Sequence, residues 1–138
     1  MGWDEKKELP ESDSSLGASL VEISENTYKL TTSQNLASGE LSYTTAIGAK
    51  FKIKQVLVHA STGLASKTIT LTYDSATGAN YDTILSALDF DGNQDLAFKT
   101  GQEIPVMDFM VGDELKIASS SATVVGIVYV TIIYELVQ

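Results

Sequence analysis

Residues 124–137 read VVGIVYVTIIYELV, a run that is almost entirely β-branched, aromatic or aliphatic and that holds Gly126 near its start. Val, Ile, Thr and Tyr fit a pleated surface and lose rotamer freedom in a helix. The run therefore predicts a strand, and at about 3.4 Å per residue a regular one would span roughly 45 Å. Both of its faces are apolar. That predicts a central strand, or one that lays one face on its own core and the other on a partner chain. Just before it, VGDELKI sets a Gly-Asp turn ahead of a shorter strand.

The remaining apolar runs are also strand-like. Residues 19–23 and 27–32 flank a Glu25-Asn26 turn. The segment FKIKQVLVHA, 51–60, begins by alternating and ends in Val56, Leu57 and Val58, which reads as burial on both faces. TITLTY, 68–73, alternates cleanly, with Ile69, Leu71 and Tyr73 on one side and threonines on the other. A turn by composition occupies 74–78. Residues 81–88 read as a strand or a short helix, with strand favoured by the strands around them, 89–95 as a loop, 96–99 as a short strand and 115–118 as the strand after the Gly112-Asp113 turn. Pro105 confines 104–106 to an edge or an irregular segment. Residues 33–49 read as a long connection or a pair of weak strands. About eight strands separated by turn signals, in 138 residues, predict one all-β domain, an antiparallel β-sandwich.

Residues 1–17 differ in composition. Asp4, Glu5, Glu8, Glu11 and Asp13 face only Lys6 and Lys7, and serines and Gly17 follow. Such a segment cannot offset its ordering entropy, which predicts a flexible acidic N-terminal arm at 1–17 ahead of a sandwich domain at 18–138. Trp3 is out of place in a merely solubilising tail, because tryptophan is enriched at binding hot spots. The arm is expected to be ordered by a neighbour, with Trp3 in an apolar pocket and the acids near lysines such as Lys50, Lys52 and Lys54.

Charge and composition exclude several function classes. Eighteen acids face nine bases, the net charge is −9, and every base is a lysine. Without arginine the chain lacks the bidentate fork for phosphates and guanine edges, so nucleic acid is not an expected partner. An anionic membrane surface is not expected either, and the apolar C-terminal run is too short for a transmembrane helix. Met1 through Pro10 has no apolar stretch of the secretory kind. The absence of cysteine removes thiolate chemistry and cysteine zinc sites.

The most site-like motif is DFDGNQD, 89–95, which sets Asp89, Asp91, Asn93 and Asp95 at alternate positions. Hard cations need several oxygens from one tight loop, and the spacing resembles the first half of an EF-hand loop. Gln94 stands where that loop needs glycine and Thr100 where it needs its bidentate glutamate. The motif also suits a polar turn between strands, and no cofactor is expected. His59 is the only histidine. It ends an apolar strand, which points to a structural or interface role. No Gly-x-Ser-x-Gly elbow presents a serine nucleophile. Paired acids such as Asp113-Glu114 carry no mark of convergence on a cleft. Lys50, Lys52 and Lys54 form a basic stripe on one strand, suited to a solvated edge or to an acidic partner. The chain is expected not to be an enzyme.

An N-terminal arm, short strands, the VGDELKI turn at 111–117 and a long apolar last strand at 122–137, in that order, resemble the jelly-roll capsid decoration (cement) and virion accessory proteins of tailed bacteriophages. The Gly-Asp turn is also similar to that of trimeric jelly rolls of the tumour-necrosis-factor and C1q type. The resemblance implies a jelly-roll fold and a homotrimer. It implies a place on the virion, after synthesis in the host cytoplasm, and binding to the major capsid protein or another virion protein, with reinforcement of the phage head. Interface positions expected on this reading are Trp3, Ile127, Tyr129, Ile133, Lys50, Lys52 and Lys54. The alternative is a carbohydrate- or receptor-binding sandwich, a tail-fibre or lectin-like module, that uses Tyr73, Tyr81 and the 89–95 loop.

Overall fold

Alternation in the sequence becomes two stacked sheets in the computed structural model, which describes residues 18–121 and 123–138. Nine strands follow in chain order: β1 (Ser19–Ser24), β2 (Thr27–Asn35), β3 (Ser42–Thr44), β4 (Phe51–Ala60), β5 (Thr68–Asp74), β6 (Thr83–Asp89), β7 (Asp95–Lys99), β8 (Glu114–Ser119) and β9 (Ile127–Leu136). One sheet has the order β1-β2-β9-β4-β7 and the other β3-β8-β5-β6. All pairings are antiparallel.

The topology is that of one long hairpin rolled up. β5 pairs with β6, β4 with β7, β3 with β8 and β2 with β9, and these pairs alternate between the sheets. Side-by-side pairing of β9 with β4 and of β8 with β5 closes each four-strand set. This is the jelly roll, with β1 added beside β2. The antiparallel β-sandwich expected from the strand spacing is the observed fold.

β9 is the central strand of its sheet, bonded to β2 on one side and β4 on the other. Its inward residues, Val128, Val130, Ile132 and Tyr134, are buried. They meet Tyr28 and Leu30 of β2, Phe51, Ile53, Val56 and Val58 of β4, and Ile69, Leu71, Leu115 and Ile117 of the facing sheet in one continuous core. Aromatic rings fill one end. Phe51 stacks on Phe109 at 4.8 Å, and Tyr134 stacks on Tyr28 at 5.5 Å. The strand is shorter than the apolar run that forms it. Gly126 has φ near +148°, a conformation open to glycine, and its carbonyl accepts from Leu36 N–H; the pleat starts only at Ile127.

Three local readings are corrected. Leu57 is not buried on both faces: it points outward, 37% exposed, between buried Val56 and Val58. Residues 79–81 form a single 3₁₀ turn before β6, after Gly78 at positive φ. The stretch 33–49 begins with the last three residues of β2 and holds one short strand of its own, β3, and its Glu40 anchors the buried Lys67. Lys67 Nζ donates to Glu40 Oε1 at 2.6 Å and to the Ser120 carbonyl at 2.7 Å. Among the described residues no helix is long and apolar enough to cross a membrane.

Candidate interaction face

Register places every outward side chain of the five-stranded sheet. One row across it reads Val21, Lys29, Ile133, Gln55, Lys99, and the next reads Ser19, Thr31, Thr131, Leu57, Ala97. A third reads Ser33, Tyr129, His59, Asp95, and Ile127 lies beyond it opposite Asn35. The centre of this face is therefore apolar and threonine-rich. The outer face of the other sheet is different: its rows read Ser42, Ala118, Thr70, Ala87 and Thr44, Lys116, Thr72, Ile84. Val21 is 51% exposed and Tyr129 45%. Other exposed apolar groups, Ile84, Val106, Met110 and Val111 among them, lie off this face, but here Leu57 and Tyr129 line one hollow together, and adjoining apolar groups on a surface mark a contact site.

A shallow hollow of about 400 Å³ is set into this face, walled by Leu57, His59, Asp95, Ala97, Tyr129 and Thr131. Three strands build it. His59 of β4 sits between Asp95 of β7 and Tyr129 of β9. The His59 Nδ1 to Asp95 Oδ1 distance is 2.6 Å, and the His59 ring stacks on Tyr129 at 6.3 Å. The pair fixes the imidazole at the hollow's rim. All three side chains stay open to solvent, so they shape and polarise a surface; they do not form a closed catalytic chamber.

Ile127, Tyr129 and Ile133 all point away from the core, on this face. The lysine stripe is different. Lys50 and Lys52 approach Asp108 at 3.7 and 3.8 Å, and Lys54, on the bulge between Ile53 and Gln55, approaches Glu135 at 3.6 Å. Acids of the same chain thus already stand beside all three. Among the described residues, Lys29 and Lys99 are the exposed cations of this sheet that form no ion pair. Trp3 lies outside the described residues, as does the whole 1–17 segment.

The 89–95 loop is organised as a turn between β6 and β7. Asp89 Oδ1 accepts from Asp91 N–H at 2.6 Å and Oδ2 from the Thr68 hydroxyl at 3.0 Å. Asp91 and Gly92 take positive φ, and Asp95 is turned to His59. Asp89, Asp91, Asn93 and Asp95 therefore spend their geometry on the turn and its flanks, and no group of three or more acids or histidines converges on one point among the described residues. Tyr73 and Tyr81 lie at the other end of the β5–β6 hairpin: β6 carries the chain from Thr83, opposite Tyr73, to Asp89, opposite Thr68. The structure does not bring these tyrosines to the loop.

The Asp113-Glu114 pair is also absorbed by the fold. Asp113 is buried and accepts from Tyr73 Oη at 2.8 Å, Ala76 N–H at 2.9 Å and Met110 N–H at 2.9 Å. Burial alone would raise its pKa, but the donors from Ala76, Tyr73 and Met110 outweigh it and hold the carboxyl below its usual value. The bond to Asp113, then burial, raises the Tyr73 phenol. Glu114 points the other way, to the Thr45 hydroxyl at 2.6 Å and Ile47 N–H at 3.2 Å. Burial raises its pKa despite these bonds. The two carboxylates brace different loops and share no site.

Sequence reasoning missed Leu57, Ala97 and Thr131 as members of the face. Strict alternation of Leu57 against Val56 and Val58 was the available signal. Ala97 carried none, because its place depends on β4 pairing with a strand about forty residues later.

No protein family description and no curated protein sequence matches the chain. Among solved structures, the Drosophila NLP core, whose structure is described for pentamer formation and histone binding, aligns with 16% identity over 77% of this chain and 96% of that one, at a TM-score of 0.39. The infectious bursal disease virus VP2 subviral particle aligns with 16% identity over 81% of this chain and 37% of that one, at a TM-score of 0.27. Both are assemblies. At these scores neither likeness bears on the function of this chain.

Proposed function

We propose that this protein is a non-enzymatic structural protein that self-associates through the outer face of its five-stranded sheet. We further propose that it acts as a homotrimeric capsid decoration protein, binding a major capsid protein and reinforcing the head of a bacteriophage virion. The single observation that carries the self-association is the contrast between the two outer faces. One carries Ser42, Thr44, Thr70, Thr72 and Lys116 with two alanines and one large apolar group, Ile84; the other gathers Val21, Leu57, Ala97, Ile127, Tyr129 and Ile133 around the central strand. A stable interface buries about 800 Å² per partner, and a five-strand face offers an area of that order. The decoration role draws on the jelly-roll topology and on the sequence order that resembles cement proteins.

The action in this reading is mechanical. Subunits turn their apolar faces toward a shared three-fold axis, and the assembled unit grips neighbouring shell subunits, each weak contact being strengthened by the others through multivalency. Exposed Val106, Met110 and Val111 on the β7–β8 connection lie at the far end of β4 from His59 and leave that end free for the shell. The test is incubation of the purified protein with intact tailed-phage capsids lacking decoration, followed by sedimentation. Retention at a stoichiometry near that of the major shell protein is expected. A protein that stays in the supernatant at micromolar concentration overturns the decoration role.

A further inference from the structure

We propose that the hollow between Leu57, Ala97, Tyr129 and Thr131 is the seat for Trp3 of a neighbouring copy of this chain. The inference deepens the self-association reading and rests on it: it names the segment that completes the interface.

Four observations converge. The hollow is open, about 400 Å³, and walled by an aliphatic side chain, a methyl, a threonine and a tyrosine ring. Its size and lining suit one large aromatic group, with His59 and Asp95 at the rim as polar neighbours for an indole N–H. Trp3 is the only tryptophan of the chain and the only aromatic of a segment dominated by charge and serine.

The charges complement each other as well. The 1–17 segment carries five acids against Lys6 and Lys7. Lys29 and Lys99, the exposed lysines of this face that lack an ion pair among the described residues, sit in the row next to the hollow.

Reach is the fourth observation. β1 is the edge strand of this same sheet, and its Ser19 end stands in the row of Thr131 and Leu57. Trp3 is sixteen positions before Ser19, which at about 3.3 Å per residue is roughly 50 Å of chain. β1 runs antiparallel to β2, so the chain enters it from the Tyr129 side of the sheet, at the open edge. A segment delivered there, with that length, reaches the face of a copy packed against the sheet.

Because Trp3 is unique, tryptophan emission reads the seat directly. Full-length protein would be followed by emission maximum and acrylamide quenching alongside sedimentation, at concentrations spanning assembly. The expected result is a blue-shifted, quencher-protected Trp3 that appears together with the oligomer and is lost in Ala97→Glu, a surface change whose native fold is checked by its circular dichroism spectrum. Mixing Ala97→Glu copies, which keep Trp3, with Trp3→Phe copies, which keep the hollow, restores the shift. An oligomer whose Trp3 emits as in water overturns this inference and leaves self-association standing. A blue shift in the monomer, or in Ala97→Glu alone, overturns the neighbour's hollow as the seat. A wild type that never assembles overturns both.

Discussion

Replacing Asp113 by alanine removes the acceptor on which one end of the sandwich is tied. Three donors converge on its carboxylate: Tyr73 from β5, Ala76 from the β5–β6 turn and Met110 from the β7–β8 connection. A hydrogen bond to a charged group contributes about 1.5 to 3 kcal/mol, and a buried donor left unpaired costs about 1 to 3 kcal/mol. The three are not additive, since the two amides lie in turns where water can replace part of the loss. The expected cost is about 3 kcal/mol, and near 4 °C per kcal/mol for a domain of this size that lowers the melting temperature by roughly 12 °C. Tyr73→Phe, which removes one donor and leaves the carboxylate two, should cost only about 1 kcal/mol.

The pH dependence separates this cause from simple loss of packing. The folded Asp113 pKa lies below its unfolded value, so its contribution is complete above the unfolded value, about 3.9, and fades as pH falls through the folded one. Wild type and Asp113→Ala should converge in stability as pH drops below about 4. Urea midpoints measured from pH 7 to pH 3 provide the test. A difference under about 0.5 kcal/mol at pH 7, or one that does not shrink in acid, refutes the reasoning.

Other outcomes follow from particular contacts. Tyr134 is fully buried and its hydroxyl has no hydrogen-bond partner among the described residues, so Tyr134→Phe should leave stability unchanged or raise it by about 1 kcal/mol; a clear loss in denaturant midpoint would show a bond that the geometry lacks. Gly63→Ala would drive a Cβ into the Gly92 carbonyl, a backbone atom that cannot swing away, and should cost about 1 to 3 kcal/mol in the same assay. Calcium at millimolar concentration should not shift the melting temperature, because Asp89 already serves Asp91 and Thr68; a rise of several degrees would restore a cation to the 89–95 loop. Deleting residues 1–17 should leave folding and melting of the isolated domain nearly unchanged and weaken both self-association and attachment to the particle; unfolding of the truncated domain would make the segment part of the core.

Much of the fold was legible because burial in a sandwich alternates. The runs at 51–60 and 68–73 gave β4 and β5 almost to the residue, and the last apolar run gave the central strand. What resisted reading depended on partners distant in the chain. An apolar triplet at Val56, Leu57 and Val58 looks the same whether one face or two are covered. Only the pairing of β4 with β7 and β9 shows Leu57 on the surface, beside Ala97 and Thr131. The lysine stripe was visible in sequence, but Asp108, which answers Lys50 and Lys52, comes from a connection more than fifty residues later. The hollow itself had no local signature, since no one strand supplies more than a few of its walls.

Self-association through the outer face of the five-stranded sheet is the central claim, and sedimentation equilibrium of wild type and Ile133→Asp tests it most directly. Ile133 points outward from the middle of β9, beside Lys29 and Gln55, so the change spares the core and puts a charge in the centre of the proposed seam. The account predicts a trimer for the wild type at tens of micromolar and, for Ile133→Asp, a monomer with a native circular dichroism spectrum that melts lower for want of its partners. A monomeric wild type, or a trimer that Ile133→Asp does not disturb, would contradict it.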